Sequence, residues 1–346
     1  MSAIDEQDVR LPVIDISTPD ARAGNEIVDA ASKYGFLFIK AQGSGFSQND
    51  IDRMFELSRQ FFSSSREEKD KCAITPDNRG WSSMHREVLD QGNQRKGDFK
   101  EAFNFGEFVN GKAQQPLPEA LERHEEELNY FSNLCHGLCI KILKLFALGL
   151  KIEPEDGGQD WFSSRHDPTK GPSGSILRLL HYPAIPEGAD YVPNVDIRAG
   201  AHSDYGSITL LFQRLGQPGL EILTAANTWS AVPVNPAGTE SDSVPPIVIN
   251  IGDLLSYWTD GLLRSTVHRV IFPSDGRKGG EYRQSIAYFC HPVNDSPLIP
   301  VPSPVVRARA KANGSHESER VLTAEEHLKS RLAATYGWSN DEKATA

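Results

Sequence analysis

His202 and Asp204 lie two apart in the chain, with only Ser203 between them. On an extended strand the side chains of residues i and i+2 share one face, so an imidazole and a carboxylate would stand side by side. Downstream, Ser265 to Phe272 reads as a second strand and carries His268. Two imidazoles and one carboxylate make three corners of a metal site. The remaining coordination positions stay open, an arrangement that suits non-haem Fe(II) and O2 chemistry. A His-x-Asp pair alone is common, and alone it reads as two side chains bonded to backbone. A second pair changes that balance. Arg283 and Ser285 again stand at i and i+2. A guanidinium fork with a hydroxyl beside it is suited to hold a carboxylate. A metal triad followed by a carboxylate clamp points to an Fe(II) enzyme with a dicarboxylate co-substrate.

His202-x-Asp204, His268 and Arg283-x-Ser285 together resemble the isopenicillin N synthase-like Fe(II)/2-oxoglutarate-dependent oxygenases. The stretches ProValIleAsp at 12–15 and GlyPheLeuPheIle at 35–39 resemble that family's N-terminal region. The resemblance implies Fe(II) on His202, Asp204 and His268. It implies 2-oxoglutarate on the iron with its distal carboxylate on Arg283 and Ser285, O2 as second co-substrate, and ascorbate as a stimulant. The implied reaction couples decarboxylation to succinate and CO2 with hydrogen abstraction from an unactivated C–H bond. Tyr182, before Pro183, stands where the family sets a tyrosine on the 2-oxoglutarate carboxylate. Leu180 stands where plant members often carry Asn, so the clamp is expected to be assembled differently here. Arg178 shares a strand face with Tyr182; it would bind an acidic substrate group or form a strand-end ion pair. Phe103 and Phe105 fall in a region that passes the active-site mouth in the family. They are candidate substrate contacts, with aromatic core as the equal reading.

The elements that must position these groups divide the chain. Leu11 to Ser17 and Phe36 to Lys40 read as strands, with a helix after Pro19-Asp20 through about Tyr34 between them, ended by Gly35. Gln48 to Phe62 reads as a helix capped by Asn49 or Asp50. Asp98 to Gly106 alternates like a strand. Pro118 to Leu150 carries one apolar stripe through Leu121, Leu128, Phe131, Cys135, Leu138, Ile142 and Leu145, which predicts a single long helix. From Ser175 onward short apolar segments are punctuated by Gly, Pro, Asn and Asp, the pattern of a jelly roll or barrel. Pro273 to Gly280 reads as a hairpin that would set the His268 strand beside the Arg283 strand. Val306 to Arg320 reads as an exposed tail, and Thr323 with Glu326 as the capping box of a last helix. The expected fold is α+β with a mainly β core, a double-stranded β-helix buttressed by helices. A single oxygenase domain is expected over 1–346. Its parts are a mixed region at 1–117, a backing helix at 118–150, a core at 175–292 and a tail at 303–346.

Composition limits the partners. A net charge of -11 argues against nucleic acid or an anionic membrane surface and says nothing positive about the substrate; the oxygenase reading expects a small molecule. No apolar run reads as a membrane span. The acidic start lacks the apolar core of a signal peptide, and four cysteines read as reduced thiols, so the cytoplasm is expected. Cys135 and Cys139 read as core, His291 as structural, and Asp253 as a loop anchor. His166 and Asp167, being adjacent, face opposite ways on an extended chain. Two rival functions stand beside the oxygenase. One is an O2-dependent Fe(II) oxidase or cyclase that does without 2-oxoglutarate and turns Arg283-x-Ser285 to its substrate. The other is a non-catalytic jelly-roll metal- or ligand-binding protein. Hydroxylation, desaturation, ring closure and ring expansion all follow from one hydrogen abstraction, and neither the substrate nor the oligomeric state leaves a signature.

Overall fold

The structure, a computed structural model, describes residues 9–185, 190–192, 195–272, 281–314 and 320–336. Its strands are β1 (Val13–Ile14), β2 (Phe36–Ile39), β3 (Gly80–Ser82), β4 (Glu101–Phe105), β5 (Ile176–Tyr182), β6 (Ala199–His202), β7 (Ile208–Gln213), β8 (Leu220–Leu223), β9 (Trp229–Ala231), β10 (Ile247–Ile251), β11 (His268–Val270) and β12 (Arg283–Cys290). Its helices are α1 (Ala21–Tyr34), α2 (Gln48–Phe62), α3 (Arg66–Asp70), α4 (Glu119–Glu122), α5 (Glu125–Gly149), α6 (Asp253–Trp258), α7 (Pro304–Asn313) and α8 (Ala324–Tyr336).

Eight strands form one sheet in the order β1-β2-β10-β7-β12-β5-β4-β3, and four form a second, β6-β11-β8-β9. All neighbours run antiparallel except β1 and β2. The two sheets share one buried cluster. Ala102, Leu180, Val248 and Ala287 of the large sheet meet Ala199, Leu220, Ile222 and Val270 of the small one. This is the jelly roll. The other face of the large sheet lies on the helices, where Leu177, Leu179, Ile286 and Tyr288 join the core with α1, α2 and α5.

Local chemistry sets the helix ends. Asp20 caps α1 by accepting from the Ala23 N–H at 2.9 Å. Gly35 ends it at φ 68, in the left-handed region that glycine enters freely. Ser47, rather than Asn49 or Asp50, caps α2. Its hydroxyl accepts from the Asp50 N–H, and the Asp50 carboxylate accepts from the Ser47 N–H, completing a capping box.

Three expectations are corrected. The long helix is divided, because His124 leaves helical geometry between α4 and α5 and three consecutive glutamates restart it, where the helix dipole favours negative charge. By length and composition α5 is long and apolar enough to cross a membrane. Here it is the core helix, with Leu128, Phe131, Cys135, Leu138, Ile142 and Leu145 buried against the helices and the large sheet. The stretch read as an exposed tail is exposed over most of its described length, and part of it is ordered as α7, capped by Ser303 and anchored through buried Val306. Finally, the His268 and Arg283 strands do not pair. β11 lies between β6 and β8, whereas β12 lies between β7 and β5 in the opposite sheet. The connection at 273–280 falls outside the described residues. The Thr323–Glu326 capping box is present, at 3.0 and 3.2 Å.

Candidate active site

His202 closes β6 and stands directly across from His268 of β11 in the antiparallel register, with ring centroids 4.3 Å apart. Asp204 is not on the strand; it lies just past its end, in the turn where the chain crosses to β7 of the facing sheet. Each imidazole is fixed by a backbone carbonyl. His202 Nδ1 donates to Gly200 O at 2.7 Å and His268 Nδ1 to Thr266 O at 3.1 Å. A carbonyl can only accept, so both Nδ1 atoms carry a proton and both Nε2 atoms are turned inward. Asp204 Oδ2 accepts from Thr209 Oγ1 and from Asn250 Nδ2, each at 2.7 Å. Its Oδ1 lies 3.8 Å from His202 Nε2 and 3.7 Å from His268 Nε2. The three ligand atoms lie within 4.8 Å of one another. Two imidazole nitrogens and one carboxylate oxygen converging on one point fit a divalent iron with open positions.

The protonation states agree with that fit. Burial and the neighbouring His268 push His202 down to about 3, so its ring is neutral near pH 7. Burial alone would raise Asp204. The two imidazoles and the bonds from Asn250 and Thr209 outweigh it and hold the carboxyl below its ordinary range. Motif and spacing do not single out Thr209 and Asn250. A signal is nonetheless present, since Asn250 is a lone polar residue inside the apolar strand β10. Asn250→Leu is expected to weaken Fe(II) binding about 10- to 100-fold, the usual effect of losing a partner that orients a ligand. A metal titration measures it.

The cavity beside the triad encloses about 1030 Å³, including its opening to solvent. Along β12 the side chains facing it are Arg283, Ser285, Ala287 and Phe289. Their register partners on β5 are Tyr182, Leu180, Arg178 and Ile176. Arg283 is 1% exposed. It donates to Ser285 Oγ at 3.1 Å, to Gln213 Oε1 at 3.2 Å and to the Gln217 carbonyl at 3.2 Å, and it lies 5.0 Å from the Tyr182 ring centre. Every one of those acceptors is neutral. Among the described residues no carboxylate pairs with it. Behind it lies Arg198, which burial and the charge of Arg283 lower to about 10. A buried cation without an anion is costly, so this end of the cavity favours an anionic ligand. Leu180 sits opposite Ser285 and offers the ligand no polar group.

Arg178 lines the cavity and also pairs with Glu87. Glu87 lies 3.0 Å from Lys100, which in turn pairs with Asp98. Glu87, Lys100 and Asp98 are buried, and no sequence motif joins them. Phe103 and Phe105 face the other way, which corrects their reading as substrate contacts. Both are fully buried on the helix side of β4, with Phe103 4.9 Å from the Phe61 ring. Strand alternation explains it, for Lys100, Ala102 and Asn104 take the cavity side and the odd positions the core. Phe103→Ala is therefore expected to cost about 3–5 kcal/mol of stability. Denaturant unfolding measures that, and co-substrate affinity should not change. Asp253 is the loop anchor. It accepts from Ser203 Oγ at 3.1 Å and Ser265 Oγ at 2.6 Å, and pairs with Arg331 at 2.7 Å.

Residues 11–127 match the family described as non-haem dioxygenase in morphine synthesis N-terminal, and residues 173–292 match the 2OG-Fe(II) oxygenase superfamily. UPF0676 protein C1494.01 of Schizosaccharomyces pombe is 36% identical over 342 residues, covering 97% of this chain and 95% of its own. The chain belongs to the 2OG-Fe(II) oxygenase superfamily. The oxygenase is also 31% identical to the 2-oxoglutarate-dependent dioxygenase htyE of Aspergillus rugulosus, over 90% of this chain and 93% of that one. Its fold matches that of a full-length Neurospora crassa protein crystallised in complex with alpha-KG, at a TM-score of 0.77 and 28% identity, over 96% of this chain and 98% of the other. Further structures of the same Neurospora protein hold alpha-KG with thymine or with 5-formyluracil. The oxygenase is thus an Fe(II)- and 2-oxoglutarate-dependent dioxygenase that oxidises a small molecule, releasing succinate and CO2.

Proposed function

We propose that His202, Asp204 and His268 hold the Fe(II), that Arg283 and Ser285 with Tyr182 receive the distal carboxylate of 2-oxoglutarate, and that the reaction is hydroxylation in specialised metabolism. The observation that carries this is the buried Arg283 guanidinium. Its partners among the described residues are all neutral, and it stands in the same cavity as a preorganised two-imidazole, one-carboxylate set. When bound, Fe(II) with 2-oxoglutarate supplies the O2-activating chemistry that breaks a substrate C–H bond. The chain's own residues do the rest. Gly200 O and Thr266 O hold the imidazoles with Nε2 inward. Thr209 and Asn250 turn Asp204 so that one oxygen faces them. The apolar walls, among them Phe36, Leu211, Leu220 and Val270, keep water from the reacting centre.

The placement of the clamp on the strand after the distal histidine favours an isopenicillin N synthase-like arrangement within the superfamily. The helices and both sheets share buried clusters, which supports a single working domain. Four unpaired, buried cysteines support a reducing setting such as the cytoplasm. The partner we infer is a small molecule, with no role for nucleic acid or membrane. The test is an anaerobic titration of apo-protein with Fe(II) and then 2-oxoglutarate, following the visible charge-transfer band of a chelated 2-oxo acid. A saturating band is expected. Iron binding without a band would transfer Arg283 and Ser285 to the substrate.

A further inference from the structure

The cavity has a second end that the metal and the clamp leave unused. Arg283 and Phe289 are six residues apart on β12, about 20 Å along a strand, so the clamp lies far from Phe289. Phe289 is also the register partner of Thr209, which holds Asp204. Its row of the sheet is therefore the one beside the metal ligands. In β12 every other side chain is buried, whereas Phe289 is partly open, and it lines the cavity. Tyr205 is likewise half-buried and lines the same space. Leu328 and Leu332 of α8 supply an apolar wall. That wall is seated closely, because any side chain at Gly174 would collide with Leu328.

The polar groups at this end are mainly donors. Asn78 holds φ 63, a left-handed backbone that asparagine tolerates better than most residues. Its Oδ1 and its carbonyl are both taken by Asn104 Nδ2, at 2.9 and 3.0 Å. Its own Nδ2 makes no hydrogen bond among the described residues and remains to donate. Arg178 and Lys100 present N–H groups as well. Their partners Glu87 and Asp98 stand behind them, outside the cavity lining. The four charges cancel. A carboxylate brought here would add a buried negative charge beside two carboxylates, while a neutral carbonyl accepts the same N–H bonds without that penalty. An open aromatic ring favours a flat ligand that can stack on it.

We propose that the substrate is a small, uncharged, planar compound bearing ring carbonyls, a cyclic imide or amide. It stacks on Phe289 and places a carbonyl oxygen on Asn78 Nδ2 and the Arg178 guanidinium. This rests on reading the cavity as that of a 2-oxoglutarate oxygenase. The balanced reaction is R–H plus O2 plus 2-oxoglutarate to R–OH plus succinate plus CO2. The test is anaerobic calorimetry on the Fe(II)- and 2-oxoglutarate-loaded enzyme. Thymine and phthalimide serve as uncharged imides, benzoate as a planar anion and proline as a non-planar zwitterion. At least one imide is expected to bind at least ten times more tightly than benzoate or proline. Asn78→Asp keeps the bonds from Asn104 but turns the donor into an acceptor, and should weaken imide binding at least tenfold. Phe289→Leu should weaken it too. In both variants 2-oxoglutarate should bind as in the parent. Tighter binding of benzoate or proline, no binding of either imide, or unchanged imide affinity in Asn78→Asp would each overturn the proposal. If 2-oxoglutarate itself fails to bind the parent enzyme, the underlying oxygenase reading fails instead.

Discussion

Asp204→Ala is expected to lower Fe(II) affinity by more than about 100-fold, beyond what the loss of an orienting partner costs, and to abolish turnover. Among the described residues the carboxylate is the only anion within reach of both Nε2 atoms. Without it, a dication would face two neutral rings in a buried site. The substitution also strands Thr209 Oγ1 and Asn250 Nδ2, the two donors that Asp204 Oδ2 now satisfies. Their stranding would cost some stability, about 1–3 kcal/mol for each buried group left unsatisfied. Asp204→Asn separates the two effects. Its amide oxygen can still accept both bonds, so the fold should hold, while the missing charge should still empty the site of iron. Iron content after gel filtration and the unfolding midpoint are the two measurements. Wild-type iron content in Asp204→Asn would remove Asp204 from the ligand set.

The residues that carry charge are the legible part of the site. His202, Asp204 and His268 can be picked out because few other residue types serve as metal ligands, and Arg283-x-Ser285 because side chains two apart share a strand face. Strand parity accounts for the first pair only in part. Asp204 sits past the end of β6, and what aims it is Thr209 and Asn250. β6 itself leaves little trace, since AlaGlyAlaHis has no apolar alternation to read. The jelly roll is legible from its short punctuated strands, but its pairing is not. Chain order places the His268 strand next to the Arg283 strand, whereas a double-stranded β-helix sends successive strands to opposite sheets. Phe103 and Phe105 show the same limit. Alternation tells that one face of β4 meets the cavity and the other the core, and only the structure tells which. The Glu87, Asp98, Lys100 and Arg178 cluster joins loop and strand residues up to 91 positions apart, a distance that no local pattern spans.

Arg283→Met is expected to raise the 2-oxoglutarate requirement about 10- to 150-fold. This corresponds to about 1.5–3 kcal/mol for a hydrogen bond to a charged group, at 1.4 kcal/mol per tenfold. The physical reason is that the guanidinium is buried among neutral acceptors, so among the described residues its charge meets no anion until a carboxylate arrives. The same reasoning fixes the sign of the stability change. A structural arginine lost from a buried ion pair would destabilise by several kcal/mol, because it leaves a partner charge uncovered. Arg283 has no such partner among the described residues. Replacing it by an apolar side chain of similar length should therefore leave the apo-protein's unfolding midpoint unchanged or raise it. Fe(II) binding should also be unaffected, because the clamp lies on the large sheet while both histidines lie on the small one. Arg283→Lys keeps the charge but not the fork, and should fall between the parent and Arg283→Met in 2-oxoglutarate affinity. The decisive pattern is a raised co-substrate requirement with undiminished stability and iron binding. A stability loss of several kcal/mol with an unchanged requirement would make Arg283 a structural residue and leave the distal carboxylate to be held elsewhere in the cavity.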